Sequence, residues 1–332
     1  MVDQAVLQAA LSHTLAASDF PGLGVKYEGK VRDNYTRGDK RYVVVTDRIS
    51  AFDRVLGSVP FKGQVLNRLA AWWFEKMRSV APNHMLSVPD PNVLECVECK
   101  PVLVEMVVRA YATGTTSTSL WTHYERGVRD FCGNRLPDGL RKHQKLPKAI
   151  LTPTTKAPKG EHDVSGSREE ILATGKVSAV DFDEAAAIAM KLFAAGQEAC
   201  AARGLILVDT KYEFGRTPEG TMVVIDEIHT PDSSRFWRSD TYPARFEAGQ
   251  DPDPLDKDFV RRWFIAQGYK GDGEAPLMPD EVRVGAAERY IAAYEQITGE
   301  AFVADTAPPL ARIAKNLGLK SPKPLESPKA AQ

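Results

Sequence analysis

Cysteine is scarce in this chain: Cys96, Cys99, Cys132 and Cys200 are the only four in 332 residues. A disulfide framework is therefore not what holds it together, and a chain this long can bury a full core without staples. Cys96 and Cys99 make one C-x-x-C, but no second pair and no His-x-His follows to complete the four ligands of a structural zinc site. They read as strand residues in a reducing cytoplasm. Net charge is also lacking. The formal value is -1, so no overall field draws the chain to nucleic acid or an acidic membrane, and any anion binding has to be local. No apolar run reaches about 18 residues, so no transmembrane helix is expected. The first residues, Met1 to Leu11, lack the basic region, apolar core and cleavage site of a secretion signal. There is no internal repeat, no G-x-G-x-x-G and no P-loop pattern.

What is present is a mixed order of strands and helices. Residues 3–17 read as a short amphipathic helix. Tyr27–Tyr35 and Arg41–Thr46 alternate around a turn at Thr36–Asp39 and read as an antiparallel hairpin. Leu66, Leu69, Trp73 and Met77 recur at helical spacing in 62–79, more plausibly as core than as a ligand stripe. Two strands are expected around Lys100-Pro101 within 93–112. The stretch 128–170 is rich in Gly, Pro, Lys and Thr and reads as a long loop. Residues 178–203 form an alanine-rich helix stopped at Gly204. A hairpin follows from Leu205 to Ile228, then helices at 256–267 and 279–298. The tail from Ser321 reads as disordered. The pattern is α+β, with a mixed or antiparallel sheet rather than a doubly wound parallel one. The expected division is a β-rich N-terminal lobe at 1–110, a larger α+β lobe at 111–320 and a tail at 321–332.

The hairpin carries the sharpest chemistry. Leu205–Val208 is apolar, and Asp209, Lys211 and Glu213 then share one face of an alternating strand. If Phe214 pairs with Thr221, Asp209 lies opposite Asp226, and three acids crowd one face around Lys211. Such a set needs positive charge, from the lysine or from a hard divalent cation such as Mg²⁺. A solvated or salt-bridged face is the plainer alternative, but the apolar flanks argue for a site. Glu227 follows Asp226, and Thr230–Arg235 then supplies a tight turn, hydroxyls and a guanidinium suited to phosphate or carboxylate.

Other stretches are weaker alone. Glu28–Asp33 places Lys30 and Arg32 on one strand face beside Gly29, as a phosphate-covering hairpin would, or as any basic surface hairpin would. Thr46–Asp53 ends a strand in polar residues, with Asp47 or Ser50 able to cap a turn. Arg109 ends an apolar run that leads into the hydroxyl-rich Thr113–Ser119. Thr152–Ala157 and Glu161–Asp163 lie in the long middle stretch, where His162 alone carries little.

Taken in order, Gly29–Asp33, Thr46–Asp53, Thr152–Ala157, Asp209–Gly215 and Asp226–Trp237 resemble the SAICAR synthetase (phosphoribosylaminoimidazole-succinocarboxamide synthase) family, over about residues 20–300. The resemblance implies a two-lobed ATP-binding fold. It also implies a reaction of ATP, L-aspartate and carboxyaminoimidazole ribonucleotide through an acyl phosphate, in a cytoplasmic enzyme of purine biosynthesis. It places Gly29, Lys30 and Arg32 at the ATP phosphates, and the backbone from Val102 to Glu105 at adenine. Glu213, Asp226 and Glu227 would be at Mg²⁺. Arg109, a hydroxyl of Thr115 or Ser119, and Arg235 with Asp232 and Ser234 would be at the ribonucleotide phosphate. Lys156, Asp163, Asp209 and Lys211 border the reacting groups, with Lys156, Asp209 and Lys211 as the catalytic candidates. Asp53 and Arg261 belong to the same cleft. The loop Thr113–Trp121 is longer than the family's short Thr-Gly-Ser, and the long chain favours a monomer over a homodimer. Another ATP-dependent carboxylate–amine ligase or a small-molecule kinase would share the lid and acids but not Arg109 and Arg235. A non-catalytic nucleotide sensor would lack Glu213 or Asp226.

Overall fold

The computed structural model describes residues 2–52, 54–156, 163–255 and 258–320. Asp53, His162 and the tail from Ser321 lie outside the described residues. The chain forms two compact units: one comprises 1–72, 85–98 and 257–332, the other 73–84 and 99–256. The architecture is α+β throughout, with antiparallel sheets. The first unit is discontinuous, because the chain returns to it after residue 256, which a single boundary near 110 does not express.

In the first unit a five-stranded sheet has Val25–Glu28 at one edge and Met85–Asp90 at the other. The expected hairpin is two hairpins. Arg32–Arg37 pairs with Lys40–Val45, and Val25–Glu28 pairs back on Arg32–Arg37 around a turn at residues 29–31. Lys30 therefore sits in a turn, not on a strand face shared with Arg32. Leu15, Phe20, Tyr35, Val44 and Ile313 form a core on this sheet. The expected helix at 279–298 is Asp280–Thr298, ended by a left-handed Gly299.

The second unit is built on one long strand, Leu205–Arg216. Within it, Leu205–Thr210 pairs with Ser234–Arg238 on one side, and Asp209–Tyr212 pairs with Met106–Arg109 on the other. Its second half pairs with Met222–Ile225 and Lys100–Pro101. The helix Ala179–Ala201 packs on this sheet, with Ala185, Ala189, Leu192, Phe193 and Gly196 buried at helical spacing. Ser178 caps its start by accepting from the Asp181 N–H.

The stretch 128–170 is not one long loop. It holds the strand Lys145–Leu151 at the sheet edge, short pairings at 130–135 and 154–155, and a helix Arg168–Ala173. Pro147 and a register shift between Lys145 and Ile150 break its alternation. Both are tolerated at an edge.

Candidate active site

The central strand sets the geometry of the second unit. Its pairing with Met222–Ile225 puts Phe214 opposite Val224, not Thr221, because the strand runs on to Arg216 and turns over 217–220. Asp209 therefore does not face Asp226. Its cross-strand neighbours are Arg109 on one side and Arg235 on the other. The Asp209 carboxylate accepts from Arg235 Nη1 at 2.7 Å and lies 3.6 Å from Arg109 Nη1.

Arg109 is buried, donating from Nε to Thr152 Oγ1 at 2.8 Å and from Nη2 to Thr118 O at 3.1 Å. Burial pulls its pKa down against the pull of Asp209, and Arg235 adds to the repulsion. Two guanidinium groups thus converge on one acid. Arg235 keeps 27% of its side chain exposed, so this is the open end of the pair. The hydroxyl loop reaches the same place. A Cβ on Gly114 would fall 2.4 Å from Ser119 Oγ and 3.7 Å from Arg235 Nη1, and the backbone there has φ +103°. Only glycine fits. Ser119 is buried with its Oγ 2.7 Å from Thr116 Oγ1, whereas Thr115 faces outward.

Two residues along, a second cluster begins. Lys211 Nζ donates to Glu213 Oε1 at 2.6 Å and Glu105 Oε1 at 2.8 Å. Lys156 donates to the other Glu213 oxygen, and Thr154 Oγ1 lies 3.3 Å from Glu105 Oε2. The expected sharing of one face by Lys211 and Glu213 is seen directly. Burial opposes every charge in this chain of groups. For Lys211 the two carboxylates outweigh burial and hold its pKa well above the usual lysine range. For Glu213, Lys211 and Lys156 outweigh burial and hold its carboxyl well below the usual range. Glu105 goes the other way: burial, then Glu213 and Asp163, raise it against Lys211. Glu105 thus presents its side chain to this cluster. The Val102 N–H is already given to Phe214 O at 2.8 Å.

Asp226 follows the end of strand Met222–Ile225 with φ +70°, and His229 has φ +51°. Between them Glu227 is buried and accepts from Thr230 Oγ1 at 2.6 Å. Ser234 Oγ pairs with Thr210 Oγ1 at 2.7 Å, and Asp232 lies half-buried in the turn. His229 is the residue that sequence reasoning passed over. Its ring is fully buried, 2.5 Å from the Tyr212 hydroxyl through Nε2, edge-on to Trp73, and against Gly196, where a Cβ would lie 2.4 Å from the ring. Among the described residues Nδ1 has no hydrogen-bond partner, and burial pushes the imidazole down to about 3. It is a neutral wedge that fixes the turn carrying Asp226 and Glu227.

Among the described residues no group of three or more His, Cys, Asp or Glu side chains is placed to hold a metal ion by itself. Magnesium asks less, since it takes one or two carboxylates plus substrate phosphates. Glu213 is opposite Ile225, so Asp226, the next residue, is not its cross-strand partner.

The remaining candidates lie in the first unit. Lys30 is exposed and Arg32 half-buried, while Arg261 stacks 5.5 Å over the Phe52 ring. Asp53 is outside the described residues. Arg48 was legible only as part of a polar strand end. Its guanidinium donates to the carbonyls of Lys30, Gly29 and Ala16 and to Asp33 Oδ1, at 2.8–3.0 Å. It therefore pins the turn at 29–31. Asp47 does not cap a local turn. It accepts from the distant N–H groups of Leu15 and Gly63.

The second unit thus gathers lysines, carboxylates and two arginines around the strand Leu205–Arg216, an arrangement suited to an enzyme that handles anionic substrates. The profile of the SAICAR synthetase family matches residues 25–276. A phosphoribosylaminoimidazole-succinocarboxamide synthase of Legionella pneumophila (strain Paris) is 53% identical over 287 residues, covering 86% of this chain and 91% of that one. The chloroplastic enzyme of Arabidopsis thaliana is 50% identical over 294 residues, covering 88% and 71%. The structure of SAICAR synthase from Saccharomyces cerevisiae complexed with SAICAR superposes with a TM-score of 0.75 at 29% identity, over 88% of this chain and 100% of that one. A SAICAR synthetase (Type-2) in complex with ADP gives 0.64 at 25% identity, over 84% and 100%. The chain belongs to the SAICAR synthetase family. It is a ligase of purine biosynthesis that joins L-aspartate to carboxyaminoimidazole ribonucleotide.

Proposed function

We propose that ATP phosphorylates the ribonucleotide carboxylate in the second unit, and that the aspartate amine then displaces phosphate from the acyl phosphate. The observation that carries this reading is Asp209 held between Arg109 and Arg235, two residues from the Lys211 cluster. A phosphate dianion is a better partner for two guanidinium groups than one carboxylate. In this reading Arg235, Arg109 and Ser119 take the ribonucleotide phosphate, with Ser119 favoured over the outward-facing Thr115. Asp232 and Ser234 shape the turn that carries Arg235.

Lys156 and Lys211 stabilise charge developing on the transferred phosphoryl and acyl oxygens, which positioned cations do without moving protons. Asp209 and Asp163 border the amine substrate. Glu213 and Asp226 would hold Mg²⁺, with Glu227 behind them. The ion, when bound, neutralises the nucleotide phosphates. By the family resemblance, Gly29, Lys30 and Arg32 are assigned to the ATP phosphates, the Val102–Glu105 backbone to adenine, and Asp53 and Arg261 to substrate binding. We place the enzyme in the cytoplasm, where its free thiols stay reduced, and as a monomer.

The test is ADP release by purified protein with Mg²⁺-ATP, carboxyaminoimidazole ribonucleotide and L-aspartate, omitting each in turn. Release that needs all three and yields the succinocarboxamide supports the scheme. Release without aspartate replaces it with a kinase or an uncoupled acyl phosphate.

A further inference from the structure

Behind the hydroxyl loop lies a chain of polar groups that the scheme above does not use. Thr113 Oγ1 is 2.8 Å from His143 Nδ1, and His143 Nε2 is 2.9 Å from Asp251 Oδ1. The backbone builds this contact. Lys145 pairs with Tyr111, Ala112 N–H donates to Gln144 O, and His143 N–H donates to Ala112 O, so Thr113 and His143 face each other just past the strand pair. His143 has left-handed backbone, φ +68°, its ring meets Trp237 edge-on, and its carbonyl accepts from the Tyr242 hydroxyl. Thr113 is buried and immediately precedes Gly114, the glycine against Ser119 and Arg235.

The bonding partners fix the tautomer. Asp251 is an acceptor, so Nε2 carries the proton in neutral His143 and Nδ1 accepts from the Thr113 hydroxyl. An imidazolium would donate from both nitrogens. Thr113 would then accept, and its hydroxyl proton would be free to point elsewhere. The charged groups facing the ring are Asp251, Lys142 and Arg235, with the Tyr242 hydroxyl nearby. Burial lowers the His143 pKa most, Asp251 raises it, and Lys142 and Arg235 lower it further, so it lies below its ordinary value.

We propose that His143 is a proton-linked positioning residue: phosphate bound at Arg235 favours its imidazolium form, which reverses the hydrogen bond to Thr113 behind the phosphate loop. A dianion at Arg235 offsets that guanidinium's share of the positive field at His143, beside the share from Lys142. By reciprocity, protonated His143 tightens phosphate binding. This rests on the reading that Arg235 takes the ribonucleotide phosphate.

The experiment is an NMR titration of the histidine imidazoles in the full-length protein, with the His143 signal assigned by its loss in His143→Gln. The probes are SAICAR and its dephosphorylated riboside. The expected result is that SAICAR raises the His143 pKa by about half a unit or more, the riboside does not, and Arg235→Met raises it with no ligand. A His143 pKa unmoved by SAICAR, with SAICAR still binding far more tightly than the riboside and Arg235→Met abolishing that preference, overturns the coupling and leaves the phosphate site standing. If Arg235→Met leaves the preference for SAICAR intact, the phosphate assignment fails first and the coupling falls with it.

Discussion

Lys211, its side chain 32% exposed, is held charged by two carboxylates, and the less exposed Glu213 by two lysines. Removing one partner leaves the others short of a counter-charge in a partly desolvated cluster. Glu213→Gln therefore removes a metal candidate and leaves Lys156 and Lys211 short of a counter-charge. We expect turnover to fall by about 10²-fold or more, with the Mg²⁺ requirement rising in an assay of rate against free Mg²⁺. Normal turnover at low Mg²⁺ would remove the metal assignment. Arg235→Lys keeps a charge but loses the planar fork. A lost charge-assisted hydrogen bond of about 1.5–3 kcal/mol corresponds to a KM for the ribonucleotide roughly 10- to 100-fold higher. The KM for ATP should stay within about twofold; an equal rise in both would show that Arg235 serves the whole cleft.

At the scale of elements, the turn after strand Met222–Ile225 is held from behind. Helix Ala179–Ala201 offers a glycine where His229 inserts, and Gly196→Ala would place a methyl 2.4 Å from the ring. Overpacking of this kind costs about 1–3 kcal/mol. The prediction is a lower urea midpoint together with a lower kcat, since the turn carrying Asp226 has to move. A stability loss with kcat unchanged would separate the wedge from the site. The turn at 29–31 is held in the same manner by Arg48, whose guanidinium takes up three carbonyls and Asp33. Arg48→Lys cannot satisfy all of them, and should raise the KM for ATP while sparing that for the ribonucleotide.

At the scale of the molecule, two buried groups give opposite responses to acid. His229 has an ordinary value of 6.5 and about 3 in the fold. Its contribution to stability is complete above pH 6.5 and falls as pH drops from there toward 3, by about 1.4 kcal/mol per unit. Asp47 has a model-compound value of 3.8 and about 6 in the fold, because burial outweighs its two backbone N–H bonds. Its contribution is complete below 3.8 and is lost as pH rises through 6. Between pH 6 and 4 the two slopes oppose each other. Urea unfolding at pH 6.5 and 5 should show a steeper acid loss in Asp47→Asn than in wild type, and a shallower one in His229→Gln. Parallel slopes in all three proteins would refute both assignments.

Much of this was legible in the chain because local pattern decides it. The period-2 alternation from Asp209 to Glu213 put Lys211 and Glu213 on one face, and the alanine-rich 178–203 had no other way to bury its small side chains than as a helix. The motifs around Gly29, Thr46, Asp209 and Asp226 were enough to indicate the family. What the sequence left open was pairing. The register of Leu205–Arg216 depends on where a turn closes, and moving that turn replaced an imagined acid opposite Asp209 with two arginines. The strand Lys145–Leu151 was hidden because a proline and a bulge erase alternation at a sheet edge. Asp33 with Arg48, Tyr212 with His229, and Thr113 with His143 and Asp251 are joined across 15 to 108 residues by hydrogen bonds that exist only once the chain has folded.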